Sequence, residues 1–132
     1  MIIDDSVMDS FLLYQLLNSA NQSDPVIKFE SAFHALNYLD DRIERKAFTE
    51  LPDLIFLDIN MPLLNGFQFL NKIMDMKEMD NCKVVMTTSS DDPGDIERSA
   101  EIKSIIGYLI KPLRKEDLMQ IESILEKVKI WN

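Results

Sequence analysis

Polar side chains that can act on a phosphate or a metal ion follow four of the five short apolar runs of the chain. They are the acid pair Asp4 and Asp5, the single acid Asp58, the hydroxyl of Thr88 and the ammonium of Lys111. Each has an ordinary explanation by itself, because acids cap turns, threonines bond locally and lysines are solvated. The occurrence of all of them at the ends of apolar runs is far more specific.

The run that ends at Asp58 is the clearest strand of the chain. Four apolar residues precede this acid, Pro52 bounds the run on one side, and Pro62 and Gly66 follow it on the other. A continuous apolar run between such turn signals predicts a strand buried on both faces, as in a parallel sheet. In open parallel sheets ligands bind beyond the carboxyl ends of the strands, which is where this pattern places Asp58.

Short apolar runs alternate with longer segments of helical periodicity along the whole chain. The pattern predicts strands at 1–3, 26–29, 54–58, 83–88 and 105–110. The first helix opens with Ser6 and Asp9 in the Ser-x-x-Asp form of a capping box and fades near 18–22. Such alternation predicts right-handed βαβ units, a parallel sheet and helices on both of its faces. The strand ends then meet at one edge and bring the polar residues together.

The apolar residues of each helical segment predict the face that packs on the sheet. In chain order, the predicted buried residues are Met8, Phe11, Leu12 and Leu16; Ala32, Leu36, Leu39 and Ile43; Phe69, Leu70, Ile73 and Met74; Ile96, Ala100 and Ile102; and Leu118, Ile121, Leu125 and Val128. Ile130 and Trp131 are expected to pack at the end of the last helix. We expect His34 at the surface or rim and Cys82 to be structural.

Length and composition indicate one globular domain over residues 1–132. The chain has 14 basic and 23 acidic residues, a net charge of −9, which argues against direct binding of nucleic acid or of an anionic membrane surface. No apolar run approaches the roughly 20 residues of a membrane helix, and the first residues do not form a signal peptide. The single cysteine excludes an internal disulfide. A cytoplasmic location is the expectation.

Crowded carboxylates repel one another, so the predicted cluster calls for a cation. Mg²⁺ prefers oxygen ligands and usually takes one or two carboxylates together with phosphate oxygens. We predict Asp5 and Asp58 as direct ligands, Asp4 as a ligand directly or through water, and the backbone carbonyl of Asn60 as a further ligand. One cysteine and one histidine argue against Zn²⁺.

A carboxylate beside a bound cation can act as a nucleophile toward a phosphoryl group and form an acyl phosphate. Asp58 is the candidate for this role. Phosphoryl transfer depends mainly on positioning and on stabilising charge on the phosphoryl oxygens. The cation, Lys111 and Thr88 are the groups available to provide that stabilisation.

These residues resemble the receiver domain of two-component response regulators, in particular the single-domain chemotaxis regulators. The likeness rests on Asp4 and Asp5, on the LDINMPLLNG segment with Asp58, on Thr88 after an apolar strand, and on the segment YLIKP at 108–112. It covers essentially the whole chain. It implies a doubly wound, flavodoxin-like sheet of five parallel strands in the order 2-1-3-4-5 with five helices, and a cis peptide bond before Pro112.

The resemblance also implies a function. Asp58 would accept a phosphoryl group from a sensor histidine kinase or a phosphotransfer protein in a Mg²⁺-dependent reaction. Thr88 would then move inward and Tyr108 would swing from exposed to buried, although Tyr108 is equally well explained as a half-buried strand aromatic. A downstream protein would bind the face made by helix four, strand five and helix five, where basic side chains are available: Arg98, Lys103, Arg114 and Lys115.

Two departures from the family pattern bear on the expectations. Only residues 1–3 precede the acid pair, so either the sequence starts late or the first strand is shortened, at a cost in stability. The region 40–51 is somewhat long, which extends helix two or the loop after it.

Two other functions compete with the receiver interpretation. Phosphatases of the haloacid dehalogenase type also use an Asp after an apolar strand, with a later Thr or Ser and a Lys. They normally carry a second acid two residues after the nucleophile, and here that position is Asn60, which cannot exchange protons as an acid does. A degenerate receiver that binds partners without phosphorylation is the third possibility, and the complete set of acids, Thr88 and Lys111 argues against it.

Overall fold

The computed structural model describes residues 1–20, 24–89 and 92–131, apart from the side chains at 130 and 131. Its strands are β1 Ile2–Ile3, β2 Lys28–Phe29, β3 Leu54–Asp58, β4 Lys83–Thr88 and β5 Ile105–Ile110. Its α-helices are α1 Val7–Ser19, α2 Ala32–Glu44, α3 Gly66–Met74, α4 Pro93–Ala100 and α5 Leu118–Trp131. Short 3-10 helices lie at Phe48–Glu50, Lys77–Met79 and Lys115–Asp117.

The five strands form one parallel sheet in the order β2-β1-β3-β4-β5. This confirms both the predicted α/β class and the strand order that the resemblance implied. The order places β1 inside the sheet, between β2 and β3, and aligns the carboxyl ends of all strands. Asp58 of β3 lies opposite Thr87 of β4, so the site sits in the middle of that edge.

The boundaries of the three longer strands are as predicted, whereas β1 and β2 are shorter. Both short strands contain only two residues, and they pair with each other from Ile2 opposite Lys28 to Ile3 opposite Phe29. A strand assignment requires a paired neighbour, so β2 extends only as far as β1 accompanies it. The predicted positions 26 and 27 therefore lie just outside β2, although the Ile27 carbonyl still accepts a hydrogen bond from the Ile2 N–H at 2.8 Å.

Both faces of the sheet are covered, as the continuous apolar strands predict. Alternate residues of β3 point to opposite sides: Ile55 and Leu57 join a core completed by α2 and α3, whereas Phe56 joins a core completed by α1 and α5. Cys82 is buried in the first core, and burial raises the pKa of its thiol to about 12. Such a thiol stays protonated and unreactive, in keeping with the structural role predicted for it.

The predicted face of α1 is wrong. Met8 is 66% exposed and Phe11 is also exposed, while the buried residues are Ser10, Leu13 and Leu17. Most positions of α1 are apolar, so periodicity alone does not determine which side packs on the sheet. Leu12 and Leu16 are half-buried. The helix ends at Ser19, within the predicted interval 18–22, of which residues 21 and 22 lie outside the described residues.

The other helical faces are partly confirmed. In α3, Met74 is exposed and Phe67 is buried in its place; in α4, Ile96 and Ala100 are exposed and Ser99 is buried. Two turns with few apolar residues are too short for the pattern to define the face of α4. The predicted residues that are buried are Ala32, Leu36, Leu39, Phe69, Leu70, Ile73, Ile121 and Val128, and those that are half-buried are Ile43, Ile102, Leu118 and Leu125.

Two further predictions concern the surface and the end of α5. His34 is exposed, as expected. The packing predicted for Ile130 and Trp131 lies outside the described side chains. Among the helices of the described ranges, none combines the length and the apolar character that crossing a membrane requires.

The start of α3 packs directly against the end of β3. The Gly66 N–H donates to the Ile59 carbonyl at 2.8 Å, and a Cβ at Gly66 would lie only 2.5 Å from the Asp58 carbonyl oxygen. Asn65 and Gln68 close a capping box at the same helix end. A glycine at 66 is therefore what allows α3 to begin so close to Asp58.

We predict that Gly66→Ala lowers the free energy of unfolding by about 1–3 kcal/mol, because the added methyl meets backbone atoms that cannot move independently. Gly94→Ala is the matched control. Its Cβ would lie 3.2 Å from the Asp92 side-chain oxygen that accepts the Gly94 N–H, and this exposed side chain can shift by the small amount required. The free energies of unfolding of both variants can be compared by urea unfolding. Equal losses of stability would show that close contact with the Asp58 carbonyl is not what requires glycine at position 66.

Candidate functional site

The structure brings the predicted site residues to the carboxyl edge of the sheet. Asp4 comes directly after β1, Asp58 ends β3, Thr88 ends β4 and Lys111 comes directly after β5. Because the strands are parallel and adjacent, these positions share one rim. A backbone hydrogen bond of 2.7 Å from the Lys111 N–H to the Thr88 carbonyl ties the last two positions together.

The ammonium of Lys111 lies among carboxylates. Its Nζ is 2.7 Å from Asp4 Oδ2, 3.4 Å from Asp58 Oδ1 and 3.4 Å from Asp9 Oδ2. The side chains of Lys111, Asp4 and Asp58 are at most 8% exposed. Ion pairs this deeply buried are screened little by solvent, so the loss of one partner leaves a costly unpaired charge.

Three carboxylates crowd the same space. One oxygen from each of Asp4, Asp5 and Asp58 lies within 4.8 Å of the other two. Asp4 and Asp58 are buried, whereas Asp5 is exposed at the rim. The arrangement concentrates negative charge where little water is available to solvate it.

Burial raises the pKa of Asp58 to about 7, from an ordinary value of 3.8. Repulsion by the charge of Asp4 adds to this effect, and the ammonium of Lys111 opposes it. For Lys111, burial acts to lower the pKa, but the hydrogen bond to Asp4 and the charges of Asp58, Asp4 and Asp9 outweigh burial and raise it above its usual value. Lys111 therefore stays charged, while ionised Asp58 is under electrostatic stress.

Asn60 connects Asp58 with Thr88. Its backbone N–H donates to Asp58 Oδ1 at 3.3 Å, and its side-chain amide donates to Thr88 Oγ1 at 3.3 Å. Thr88 is fully buried and Asn60 is exposed. The Thr88 hydroxyl and the Asp58 carboxylate thus both accept hydrogen bonds from Asn60, at the same edge of the sheet.

Tyr108 and Pro112 lie on or next to β5. Tyr108 is half-buried, sits opposite Met86 of β4, and packs against the core that α2 and α3 complete. The peptide bond between Lys111 and Pro112 is cis. Tyr108 belongs to the strand that leads into the site, without itself joining the acid cluster.

Sequence reasoning missed the part that Asp9 plays at the site. The pattern assigned this acid to a capping box, and half of that box is present, because the Asp9 N–H donates to Ser6 Oγ at 3.2 Å. The other half is replaced: the Ser6 N–H donates to Asp4 Oδ1 at 2.9 Å, and the carboxylate of Asp9 contacts Lys111. The useful signal was its spacing, one helical turn beyond the acid pair.

The donor set fits a hard divalent cation. Asp4, Asp5 and Asp58 supply oxygen atoms close enough to share one ion, which matches the preference of Mg²⁺ for carboxylates. Burial raises the pKa of Asp58, repulsion by the charge of Asp4 raises it further, and the Lys111 ammonium offsets only part of the increase. A bound cation would relieve that repulsion.

The chain is similar in sequence to one family of known proteins. The family model of the response regulator receiver domain matches residues 1–122. The chain is 30% identical over 127 residues to the chemotaxis protein CheY of Treponema pallidum, with 96% of this chain and 81% of that protein covered.

Two further matches agree. A probable methanogenesis regulatory protein, FilR2 of Methanothrix harundinacea, is 34% identical over 99 residues, which cover 74% of this chain but only 62% of that protein. The crystal structure of the Mn²⁺-bound form of response regulator Rcp1 superposes with a TM-score of 0.75 at 26% identity and covers 96% of this chain and 89% of its own. In sequence, response regulator Rcp1 of Synechocystis sp. is 26% identical over 126 residues, which cover 96% of this chain and 84% of that protein.

The raised pKa of Asp58 leads to a prediction about the stability of the protein. In the presence of a metal chelator, Asp58→Asn should raise the free energy of unfolding at pH 8 by about 1–3 kcal/mol, because a neutral amide replaces a buried charge. The native state holds the Asp58 proton more tightly than the unfolded chain does, so wild-type stability should fall as the pH rises from 3.8 to about 7. Below that interval the difference between the two proteins should vanish.

Urea unfolding across this pH interval is the measurement, and Asp40→Asn is the control, because Asp40 is an exposed acid on α2. A stabilisation of equal size in both variants would mean that net charge, and not the buried cluster, is responsible.

Proposed function

The chain belongs to the response regulator receiver family, and from that premise we propose that Asp58 accepts a phosphoryl group from a phosphohistidine. The observation that carries the proposal is the convergence of Asp58 with Asp4, Asp5 and Lys111 at one edge of the sheet. These groups supply a nucleophile, a set of metal ligands and a fixed positive charge. The chain covers only 62% of FilR2, so any activity or partner that it shares with that longer relative is part of this proposal.

The proposed chemistry is transfer to a carboxylate. An oxygen of Asp58 attacks the phosphorus, the phosphorus–nitrogen bond of the donor breaks, and the departing imidazole nitrogen keeps the electron pair and takes up a proton. The product is an acyl phosphate on Asp58. Such a transfer needs positioning and charge stabilisation more than acid–base chemistry, which suits a site with several fixed charges and no histidine.

We assign the cation of this reaction to Mg²⁺. Asp4, Asp5, Asp58 and the backbone carbonyl of Asn60 would hold it. When bound, it supplies positive charge that offsets the carboxylates and the oxygens of the incoming phosphoryl group. The family binds divalent metal, and the solved Rcp1 structure is described as Mn²⁺-bound, which supports a divalent ion for this chain as well.

Lys111 and Thr88 are proposed to stabilise the transferred group. The Lys111 ammonium already lies 3.4 Å from Asp58 Oδ1, within reach of a group carried by this carboxylate. Thr88 can donate its hydroxyl proton to a phosphoryl oxygen once the carboxylate has been modified. Both lie at a place of low solvent access, where their interaction with a phosphoryl oxygen would be screened little by water.

Movement of Thr88 toward the phosphoryl group is the proposed start of the switch. Thr88 ends β4 opposite Ile110, and Tyr108 lies two residues earlier on β5, opposite Met86. Residues two apart on a strand share a face of the sheet, so a shift of the threonine would change the space available to the aromatic ring. Tyr108 is half-buried in the unmodified protein and would become fully buried. This is a local charge change that biases a two-state element.

The proposed partners are a sensor histidine kinase or phosphotransfer protein as donor, and a downstream protein as target. We place the target on the surface formed by α4, β5 and α5. Exposed apolar side chains there include Ile96, Ile110 and the 80% exposed Met119. Arg98, Lys103, Arg114 and Lys115 are exposed as well, and the guanidinium of Arg98 lies 4.1 Å from the centre of the Phe67 ring.

A phosphatase function is less well supported. Asn60 occupies the position of the second acid, and its side chain donates to Thr88, a bond that an acid–base catalyst at this position would not make in its ionised form. Rapid turnover of phosphate esters is therefore not expected.

We predict that acetyl phosphate with Mg²⁺ adds one phosphoryl group to the wild-type protein and none to Asp58→Asn. Asp40→Asn, which removes an exposed acid from α2, should be labelled like wild type. Intact-mass measurement followed by peptide mapping gives the result. Undiminished labelling of Asp58→Asn would place the acceptor elsewhere, and continuous release of phosphate from added esters would favour the phosphatase.

Lys111→Ala should retain cation binding and weaken the conformational response to phosphorylation. The variant keeps all proposed metal ligands and loses the ammonium that contacts Asp58. Amide chemical shifts of Tyr108 and its β5 neighbours, recorded with and without phosphodonor, measure the response. If these shifts match those of the wild type, Lys111 does not transmit the change.

A further inference from the structure

Asp9 is a third acidic partner of the Lys111 ammonium, and the phosphoryl chemistry above does not use it. Its Oδ2 lies 3.4 Å from Lys111 Nζ, the same distance that separates this nitrogen from Asp58 Oδ1. Asp9 is outside the trio of carboxylates that lie within 4.8 Å of one another. Its side chain is 27% exposed, so it approaches Lys111 from the solvent side of the site.

The position of Asp9 is fixed by the corner between β1 and α1. Its N–H donates to Ser6 Oγ, and the Ser6 N–H donates to Asp4. Asp4 occupies the bond that the carboxylate of Asp9 would take in a closed capping box. The carboxylate of Asp9 is thereby left to turn toward Lys111.

Two of the three acidic partners of Lys111 change when the site is in use. Under the proposed function, Asp4 contributes to the cation site and Asp58 becomes an acyl phosphate. Asp9 takes part in neither event, and its side chain still lies beside the ammonium. Any movement of Lys111 onto the phosphoryl oxygens must therefore take place against its attraction to Asp9.

We propose that Asp9 is a positioning residue that holds Lys111 toward α1 and competes with the phosphoryl group on Asp58 for its ammonium. The inference rests on the proposed role of Asp58. Under this proposal, the balance between the resting and the phosphorylated state depends on a residue of α1 that touches neither the phosphoryl group nor the cation.

The size of the effect follows from the exposure of the pair. Ion pairs open to solvent at one partner are worth less than about 1 kcal/mol, which corresponds to about a two- to fivefold change in an equilibrium constant. A purely structural role is the alternative, since an acid in the first turn also stabilises a helix through its dipole. That alternative predicts a loss of stability that does not depend on Lys111.

The experiment is a double-mutant cycle on the binding of beryllofluoride, a phosphoryl mimic, in the presence of Mg²⁺. We expect Asp9→Asn to bind the mimic about two- to fivefold more tightly than wild type. In the Lys111→Ala background the same substitution should change the affinity by less than about 1.5-fold, because the competing ammonium is gone. Asp95→Asn is the matched control, since Asp95 is the first-turn acid of α4.

An equal gain in both backgrounds would overturn the proposal, because it would show that Asp9 acts through charge repulsion alone. No gain in the single variant would overturn it as well. If the wild type bound no mimic at all, the function proposed for Asp58 would fail instead.

A second measurement needs neither metal nor mimic and also covers the case in which Lys111→Ala does not fold. The εCH₂ resonance of Lys111, recorded in chelator, should move in Asp9→Asn and stay in place in Asp95→Asn. An unmoved Lys111 signal in Asp9→Asn would show that the contact does not hold the ammonium.

Discussion

The contact between one buried ammonium and several buried carboxylates is the interaction on which the rest of the structure depends. Lys111 lies within 3.4 Å of Asp4, Asp9 and Asp58, and Asp5 adds a further acid at the rim. Burial and the charge of Asp4 raise the pKa of Asp58 to about 7, and the ammonium of Lys111 offsets them only in part. The edge of the sheet is thus prepared for added positive charge and for a change in the state of Asp58.

Packing on both faces of the sheet keeps these charged groups close together. Both faces of β3 and β4 are buried under helices, so the strand ends have little freedom to move apart and relieve the repulsion. Gly66 brings the start of α3 against the carbonyl of Asp58, and the Lys111 N–H is bonded to the Thr88 carbonyl. Rigid packing below the rim therefore maintains an electrostatic arrangement that would otherwise spread out.

The sequence predicts the frame of the molecule better than its surfaces. The strands β3, β4 and β5 are long, apolar and clearly bounded, so their limits are as predicted, and parallel topology then places Asp4, Asp58, Thr88 and Lys111 at one edge. The face of α1 is not predictable in this way, because nearly every side of that helix is apolar. The prediction is wrong for that reason: Met8 and Phe11 fit a helical stripe, but both are exposed.

Asp9 illustrates a different limit of sequence reasoning. The capping-box pattern already explained this acid, and nothing in one dimension shows that Asp4 takes over the bond to Ser6 and frees the carboxylate for Lys111. Contacts between side chains on different elements depend on which of several acceptable hydrogen bonds forms. The position of a site residue follows from topology, whereas its partners follow only from coordinates.

A titration with Mn²⁺ followed by NMR is the most direct test of the arrangement at the sheet edge. Paramagnetic broadening falls off steeply with distance, so one bound ion marks its own surroundings. We predict that substoichiometric Mn²⁺ first broadens the amide signals of Asp5, Asp58, Asn60 and Lys111 together, and that excess Mg²⁺ restores them. Broadening that begins among the exposed acids of α2, or that leaves Asp58 sharp, would contradict the presence of a single cation site at this edge.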